Sequence, residues 1–354
     1  MIKTPAPAIA NPPPLNPLGL DGLEFLEFAT YTPADADAFA HLFAGLGFLP
    51  AAQHRSKNVT LYRQGAINFI LNREPDCFAH SFALVHGPSV CAMAFRVRDA
   101  QAALARALEH GEKRYDGRIG PGELAIPAIR GLHGSLIYLV DRYGSRGSIY
   151  DVDFRSLPMP VAAPGLTDID HLSHVVMRGH MAQWERFYCD IFGFREEPAH
   201  RIADAAGTIV SQVVDSPCGR IRIPINESLG PDTEADHFIH EYFGEGVQHI
   251  ALRTDDLIAA VERAVREGVE FLPIPEDYYA GLRWAGNLPS EMIDRLQQGR
   301  IMADLDGTGM LLQAYTKPVA GTVFFELLQR RDHTGFGHRN AATRLAALRA
   351  LRSA

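Results

Sequence analysis

Hydrophobic and polar positions along this chain follow two patterns. In the first, short stretches alternate apolar and polar residues or run apolar, and end at turn-forming residues, which predicts β-strands. The strands predicted in this way are 22–30, 91–97, 135–141, 148–154, 168–176, 248–254, 309–316 and 322–330. In the second, apolar residues recur at helical spacing and the run closes on glycine, which predicts amphipathic helices. These helices are 33–47, 99–111, 180–193 and 255–268, and aspartate caps are predicted to open the second and the fourth.

A last helix is predicted at 340–354, with Asn340 as its cap. Leu345, Leu348 and Leu351 form one apolar stripe on it, so it is expected to pack back onto the fold.

The order of these elements repeats, because the second half of the chain is a copy of the first. The clearest match is gapless and aligns 90–111 with 247–268, whereas the match of 147–154 to 321–328 is weaker. Three pairs of positions follow from the repeat, and in each pair the first residue is not a metal ligand: Phe25 with His171, Ala92 with His249, and Val152 with Glu326. The pattern indicates four strand–helix–strand units in two halves, of which one half keeps a metal site.

The three residues His171, His249 and Glu326 are of the types that together bind a transition metal. Two imidazoles and one carboxylate can occupy one face of an octahedral metal and leave three positions open, as O₂-activating non-haem Fe(II) requires. Two open positions can chelate a substrate and the third can bind O₂. Glu326 lies in an apolar stretch, which favours a ligand role over the alternative of a salt-bridged core glutamate. His174 lies at an odd separation from His171 on the same strand, so we expect it to face away.

Composition and charge mainly exclude certain partners and locations. The 354 residues are 47% hydrophobic and 21% charged, which is typical of globular proteins with a sizeable core. A formal net charge of −8, without a dense Lys/Arg run, argues against nucleic acid as a partner. No apolar run approaches the ~18 residues of a membrane span. The four cysteines lack CxxC spacing, so we expect reduced thiols in a cytoplasmic enzyme.

Proline-rich segments divide the chain. Residues 1–17 lack an apolar signal core and predict a disordered tail. The stretch 155–168 predicts a linker between the halves. The expected domains are therefore the tail, a half without metal at 18–156, and a catalytic half at 157–354 that carries the metal site and the last helix.

Several longer stretches of the chain are characteristic of one known family. They are HRSKNVTLYRQG (54–65), IDHLSHVV (169–176), WERFYCDIFGFRE (184–196), RIPINE (222–227), GEGVQHIALRTDDL (244–257), LLQAYTK (311–317) and FFELLQRRDHTGFG (324–337). Through them the chain resembles the 4-hydroxyphenylpyruvate dioxygenase family, of the vicinal oxygen chelate superfamily, along nearly its whole length. The resemblance implies an α+β fold of two tandem halves, each of paired βαβββ modules forming an open barrel-like sheet, with a C-terminal lid helix. It also implies a homodimer or homotetramer.

The same resemblance implies a chemistry. Fe(II) would be held by His171, His249 and Glu326, and 4-hydroxyphenylpyruvate, an aryl α-keto acid, would chelate it before O₂ reacts. The products would be homogentisate and CO₂, within tyrosine and phenylalanine catabolism. The resemblance carries pocket roles over to Ser211, Asn226, Gln248, Gln313 and Phe336. Amide side chains suit such a pocket because they donate to and accept from a keto acid and a phenol.

Phe336 lies between Gly335 and Gly337 and joins the strand that carries Glu326 to the last helix. Because glycines permit a bend, we expect Phe336 to close over the substrate and the helix to act as a lid.

Three positions depart from the pattern of the family. Glu234 stands where glutamine is usual, and Tyr315 and Ala341 stand where phenylalanine is usual. The changed pocket leaves 4-hydroxymandelate synthesis, or oxidation of a related aryl α-keto acid, as an alternative, against which Pro224 favours the dioxygenase. A buried Tyr315 hydroxyl needs a partner, and we expect Glu234 to accept from it if the two are near.

Two other classes of protein share the superfamily. One is a non-oxidative metalloenzyme, such as an isomerase or lyase that uses Mn or Zn. The other is a non-catalytic protein that sequesters small molecules. The complete triad and the dioxygenase-type motifs argue against both.

Overall fold

The computed structural model describes residues 15–158, 165–307 and 309–353. Most of the tail predicted at 1–17, and part of the linker predicted at 155–168, therefore lie outside the described residues. Pro17 is described and lies against Gly193, while the Asn16 side chain accepts a hydrogen bond from the Leu20 amide. The chain at residue 16 is thus already attached to the body of the protein.

The first half of the chain forms an eight-stranded sheet. Its strands are β1 (Leu23–Ala29), β2 (Leu49–His54), β3 (Val59–Gln64), β4 (Ile67–Asn72), β5 (Ser89–Arg96), β6 (Ala128–Arg130), β7 (Leu136–Val140) and β8 (Phe154–Ser156). They are ordered β6-β7-β5-β1-β4-β3-β2-β8. The helices of this half are α1 (Pro33–Gly45), α2 (Phe78–His86), α3 (Ala100–Glu109) and the short α4 (Tyr150–Asp153). Two 3-10 turns lie at Leu132–Gly134 and Gly144–Arg146.

The second half forms a nine-stranded sheet. Its strands are β9 (Leu166–Val176), β10 (Arg195–Glu196), β11 (His200–Asp204), β12 (Gly207–Asp215), β13 (Arg222–Ser228), β14 (Gly246–Thr254), β15 (Met302–Asp306), β16 (Gly309–Tyr315) and β17 (Phe324–Arg331). Their order is β10-β12-β13-β9-β14-β17-β16-β15, and β11 pairs with β12. The helices are α5 (Met181–Arg186), which continues into a π-helical turn (Phe187–Ile191), α6 (Glu234–Tyr242), α7 (Leu257–Arg266), α8 (Glu276–Ala285), α9 (Ser290–Gln298) and α10 (His338–Arg352).

The predicted α+β class is confirmed, and local chemistry explains where the helices begin. Thr32 and Asp35 form a reciprocal capping box at the start of α1, where Pro33 occupies the first turn. Asp99 and Asp256 accept backbone hydrogen bonds at the starts of the equivalent helices α3 and α7. These caps are the aspartates that the sequence pattern predicted.

The two sheets share one register, which confirms the duplication. Phe25 of β1 pairs with Ala94 of β5, and His171 of β9 pairs with Ala251 of β14 in the same antiparallel arrangement. Both strand pairs also carry irregularities at matching places. The match of Phe25 to His171 is therefore correct in three dimensions.

The third predicted match, of Val152 to Glu326, is wrong. Val152 lies in helix α4 rather than in the strand predicted at 148–154. Glu326 of β17 pairs with Ala251, and the residue that pairs with the equivalent Ala94 is Tyr138 of β7. The weak sequence match failed because the strand equivalent to β17 is β7, which lies earlier in the first half than residues 147–154. Tyr138 packs against Phe25 with ring centroids 5.6 Å apart, so two aromatic rings fill this part of the first sheet.

The second unit of the first half differs from the predicted βαβββ module. Strands β14, β15, β16 and β17 form a complete module in the second half, whereas β5, β6 and β7 are the corresponding strands of the first. Where the fourth strand would lie, the described residues show one isolated bridge, between Arg114 and Ile129.

An aromatic cluster connects the two halves. Phe28, Phe43 and Phe69 of the first half surround Phe325 of β17, with ring centroids between 5.8 and 6.2 Å from it. Phe325 precedes Glu326, and successive strand side chains point to opposite faces. The first half therefore anchors the strand that presents Glu326. Among the described residues, no helix combines the length and apolar character needed to cross a lipid bilayer.

Candidate metal centre

Three neighbouring strands bring His171, His249 and Glu326 together. They lie on β9, β14 and β17, and their ligand atoms all lie within 4.8 Å of one another. Glu326 Oε2 is 3.3 Å from His171 Nε2 and 3.5 Å from His249 Nε2. Donor atoms on one face of an ion with metal–nitrogen bonds of about 2.1 Å are separated by roughly 3 Å. The observed spacing is close to that of a facial triad.

The sheet register explains why these side chains converge. Ala251 of β14 pairs with His171 on one side and with Glu326 on the other. His249 lies two residues from Ala251 and so faces the same side of the sheet. Because Ala251 carries only a methyl group, the three longer side chains meet above it.

The electrostatics of the triad suit a divalent cation. Burial alone would raise the pKa of Glu326, but the two imidazoles outweigh it and hold the pKa well below its usual range. Burial lowers the pKa of His249 to about 3, and the charge of Arg344 adds to this lowering. Burial would also lower the pKa of His171, but Glu326 and Asp170 raise it instead. An ionised carboxylate and a neutral imidazole are the forms that bind metal.

The outer nitrogen of His171 is held by a carboxylate. Asp170 Oδ1 lies 2.8 Å from His171 Nδ1, and Arg330 donates to both oxygens of Asp170 at 2.7 Å. Asp170 can face its neighbour because it is the extra residue of a bulge, where the pairing skips from His171 to Ile169. A carboxylate in this position fixes which nitrogen of the imidazole faces a metal.

Glu326 is held from the other side by a chain of hydrogen bonds. Gln313 Nε2 donates to Glu326 Oε1 at 2.8 Å, and Asn340 Nδ2 donates to Gln313 Oε1 at 2.9 Å. Tyr278 Oη donates to Asn340 Oδ1 at 2.8 Å. The last helix α10 is thereby connected to the candidate ligand through Asn340. Gly337 permits this approach, because a Cβ there would collide with the Gln313 amide.

Phe336 covers His171, and its expected closure over the substrate stays a prediction. Its ring centroid is 5.2 Å from that of His171, and the guanidinium of Arg222 lies 4.4 Å from its centroid on another side. Arg330 donates to the Gly335 carbonyl and so also holds the segment that carries Phe336. A cavity of about 530 Å³ borders Phe336 and Arg222. The triad itself is almost fully buried beneath this cover.

The structure brings the other predicted pocket residues to the same sheet. Ser211 of β12 pairs with Asn226 of β13, and Asn226 Nδ2 donates to Ser173 Oγ at 2.9 Å. Ser173 in turn pairs with His249. Gln248 immediately precedes His249 and is the extra residue of a second bulge. The amide of Gln313, in contrast, is already engaged by its hydrogen bonds within the protein.

His174 faces away from the triad, as expected. Its ring lies beside Tyr188 of the π-helical turn, and burial lowers its pKa to about 3.

One expectation about the altered positions is wrong. The Tyr315 hydroxyl does not contact Glu234; it accepts a hydrogen bond from Gln313 Nε2 at 2.8 Å. Glu234 lies at the start of α6, where Arg352 of α10 donates to both of its oxygens at 2.5 Å. Glu234 therefore holds the end of the last helix. Ala341 packs in an apolar cluster that includes Ile202.

The sequence pattern missed Asp170, Arg330 and Tyr278. A signal existed for Arg330, which lies four residues after Glu326 on one strand and so faces the same side. Asp170 precedes His171 directly, but a bulge cannot be recognised from local alternation. Nothing in the neighbourhood of Tyr278 indicates a contact with Asn340, 62 residues away.

Comparison with known proteins shows the family to which the chain is similar. Residues 15–155 match the family described as "Hydroxyphenylpyruvate dioxygenase, HPPD, N-terminal", and residues 168–288 match the "Glyoxalase/Bleomycin resistance protein/Dioxygenase superfamily". Hemolysin VllY of Vibrio vulnificus (strain CMCP6) is 47% identical over 335 residues, which cover 92% of this chain and 93% of that protein. The 4-hydroxyphenylpyruvate dioxygenase of Pseudomonas aeruginosa is 44% identical over 342 residues, which cover 94% of each chain.

Solved structures give the same result for the fold. A xylose isomerase-like TIM barrel/4-hydroxyphenylpyruvate dioxygenase fusion protein matches with a TM-score of 0.83 and 38% identity, over 98% of this chain and 55% of that one. A mutant of 4-hydroxymandelate synthase from Streptomyces coelicolor matches with a TM-score of 0.82 over 96% of this chain and 100% of that one. At 24% identity, the second likeness concerns the fold alone.

The fold and the buried donor set define a metalloenzyme of the vicinal oxygen chelate superfamily. Within it, the chain belongs to the 4-hydroxyphenylpyruvate dioxygenase family, whose members are non-haem iron dioxygenases.

Proposed function

We propose that the protein is an Fe(II)-dependent dioxygenase that converts 4-hydroxyphenylpyruvate and O₂ to homogentisate and CO₂. The observation that carries the proposal is the buried face of His171, His249 and Glu326. A face of two imidazoles and one carboxylate leaves three positions for a chelating keto acid and for O₂. When bound, Fe(II) supplies those positions and the electrons that activate O₂.

The residues around the triad prepare it for this task. Asp170 and Gln313 hold the outer atoms of His171 and Glu326, so neither ligand needs to reorient when substrate arrives. Glu326 provides one negative charge against two positive charges of a divalent ion. The remaining positive charge favours an anionic keto acid.

Ser211, Asn226 and Gln248 are proposed to orient the substrate. They lie on β12, β13 and β14 of the sheet that carries the triad, and offer a hydroxyl and two amides that can donate or accept. Phe336 is proposed to exclude water once the substrate is bound, because its ring already lies against His171.

Product analysis tests the proposal and its alternative. Fe(II)-loaded wild type and Ala341→Phe are incubated with 4-hydroxyphenylpyruvate while oxygen uptake and products are measured. Homogentisate from wild type, with one O₂ consumed for each keto acid, is the expected result, and His249→Ala should consume none. Hydroxymandelate from wild type, turning to homogentisate in Ala341→Phe, would transfer the function to the alternative. No oxygen uptake with fully loaded protein would refute both.

We also propose a place for the enzyme in tyrosine and phenylalanine catabolism in the cytoplasm, as a homodimer or homotetramer. The proposed domains are the tail at 1–17, a half without metal at 18–156 and a catalytic half at 157–354. Light scattering of the purified protein distinguishes the two assemblies from a monomer.

A further inference from the structure

The last helix carries an arginine close to the candidate metal centre, Arg344, which forms no ion pair with the residues that the structure describes. The Nη1 atom of Arg344 is buried and has no hydrogen-bond partner among the described residues. Two other arginines of α10 are paired, Arg349 with Asp204 and Arg352 with Glu234. Arg344 is half-buried as a whole, and burial of even part of a guanidinium without an opposite charge is unfavourable unless something compensates for it.

Arg344 lies on the side of α10 that faces the site. Its guanidinium carbon is 5.3 Å from the centroid of the Tyr315 ring. Tyr315 is also 6.1 Å from the His249 ring, centroid to centroid, and shares the Gln313 amide with Glu326. A single aromatic ring thus separates the guanidinium from the metal-binding side chains.

The residues one helical turn before and after Arg344 are also buried, as expected for the side of the helix that faces the site. Leu348, one turn later, packs in one cluster with Tyr315 and Phe324. Ala341, one turn earlier, is buried on the same face of the helix. Because Ala341 is so small, the helix presents little bulk on this side of the guanidinium.

The acidic groups described around the site already have partners other than Arg344. A divalent ion would be balanced by Glu326 and by the carboxylate of one keto acid. Nearby, Arg330 is paired with Asp170 and Arg222 with Asp215. The face of Tyr315 attracts a cation, but it offers only part of what a full negative charge would.

We infer that Arg344 determines specificity by binding an anionic oxygen at the far end of the substrate. The substrate class is an aryl α-keto acid with an acidic ring substituent, either a phenol bound as phenolate or a carboxylic acid. This inference rests on the proposed function for the keto-acid end of the substrate. Arginine suits the task because its planar fork forms charge-assisted hydrogen bonds with such oxygens.

Calorimetric binding to Fe(II)-loaded protein without O₂ tests the inference independently of turnover. Three ligands differ only at the ring: phenylpyruvate, 4-hydroxyphenylpyruvate and 4-carboxyphenylpyruvate. At least one of the two acidic ligands should bind wild type about tenfold or more tightly than phenylpyruvate, the scale of one charge-assisted hydrogen bond. Whichever of the two binds more tightly identifies the acidic group.

Substitutions separate recognition from a structural role of the helix. In Arg344→Met the preference over phenylpyruvate should fall to about one, Arg344→Lys should keep part of it, and the matched control Arg349→Met should keep all of it. Equal binding of the three ligands by wild type, or an equal loss for all three in Arg344→Met, would overturn the inference. The proposed function fails separately, in the product analysis: wild type that shows the binding preference but yields no homogentisate would contradict the function and leave the inference standing. Metal-loaded wild type that binds none of the three keto acids would overturn both.

Discussion

At the scale of single residues, the candidate metal ligands are held in place by side chains that are not ligands themselves. His171 is oriented by Asp170, and Asp170 is itself held by both arms of Arg330. Arg330 also donates to the carbonyl of Gly335, next to the covering Phe336. The Arg330 guanidinium therefore holds both the carboxylate that orients His171 and the segment that carries Phe336.

Replacement of Asp170 by asparagine should weaken metal binding. The amide keeps the shape of the carboxylate but loses its charge and its strong acceptor, so His171 is less well oriented and less basic. Loss of such a partner typically costs about 10–100-fold in metal affinity. Competition with a chromophoric chelator measures the affinity. Asp168→Asn, at an exposed position of the same strand, is the control and should not change it. Equal affinities for both variants would show that Asp170 has no supporting role.

At the scale of elements, helix α10 is joined to the metal strands by polar contacts as well as by packing. Asn340, at its start, supports Gln313 and through it Glu326. Tyr278 of α8 completes the chain, because its hydroxyl accepts from the Ala303 amide on β15 and its single proton is shared between Asn340 Oδ1 and the Ala303 carbonyl. The lid role expected for α10 stays a prediction, but movement of the helix would disturb the environment of Glu326.

Two adjacent tyrosines of α8 offer a matched test of this chain. Tyr278→Phe removes the hydroxyl that serves Asn340 and Ala303, and should lower the free energy of unfolding by about 1–3 kcal/mol. Tyr279→Phe removes a buried hydroxyl that has no hydrogen-bond partner among the described residues, and should be neutral or stabilising. Urea denaturation of both variants measures the difference. If both lose stability equally, the hydrogen bonds of Tyr278 contribute nothing specific.

At the scale of the whole molecule, duplication has produced two sheets with different tasks. In the first sheet, Phe25, Ala92 and Tyr138 occupy the places of the three ligands. In return, the aromatic residues of the first half pack around Phe325, the neighbour of Glu326. The first half thus supports the second instead of binding a metal itself.

Metal analysis should therefore give about one metal per chain. His249→Ala should lose tight binding, because two remaining ligands cannot form a facial triad. Metal at a free concentration of about 100 times its dissociation constant should add roughly 2.7 kcal/mol to the free energy of unfolding. Elemental analysis and denaturation with and without chelator test these values. Two metals per chain, or a metal retained by His249→Ala, would contradict this division of roles.

The sequence by itself determined much of this protein. Alternation and helical spacing are local properties, so they located most strands and helices, including the aspartate caps of α3 and α7. Repetition added long-range information, because two copies with the same elements must fold with the same register. That is why His171 and His249 could be matched to Phe25 and Ala92 correctly, and why the donor set could be selected from fifteen histidines.

Only the tertiary structure decided which residues meet where no repeated sequence pattern relates the two elements. In the first sheet, the residue at the position of Glu326 is Tyr138 and not Val152. The repeat did not show this, because the module that contains β7 has one strand fewer than its counterpart. Glu234 binds Arg352 rather than Tyr315, and Arg344 lies beside Tyr315. Such neighbours are set by how helix α10 packs across the second sheet. Residues that are distant in sequence carry no local signal of that packing.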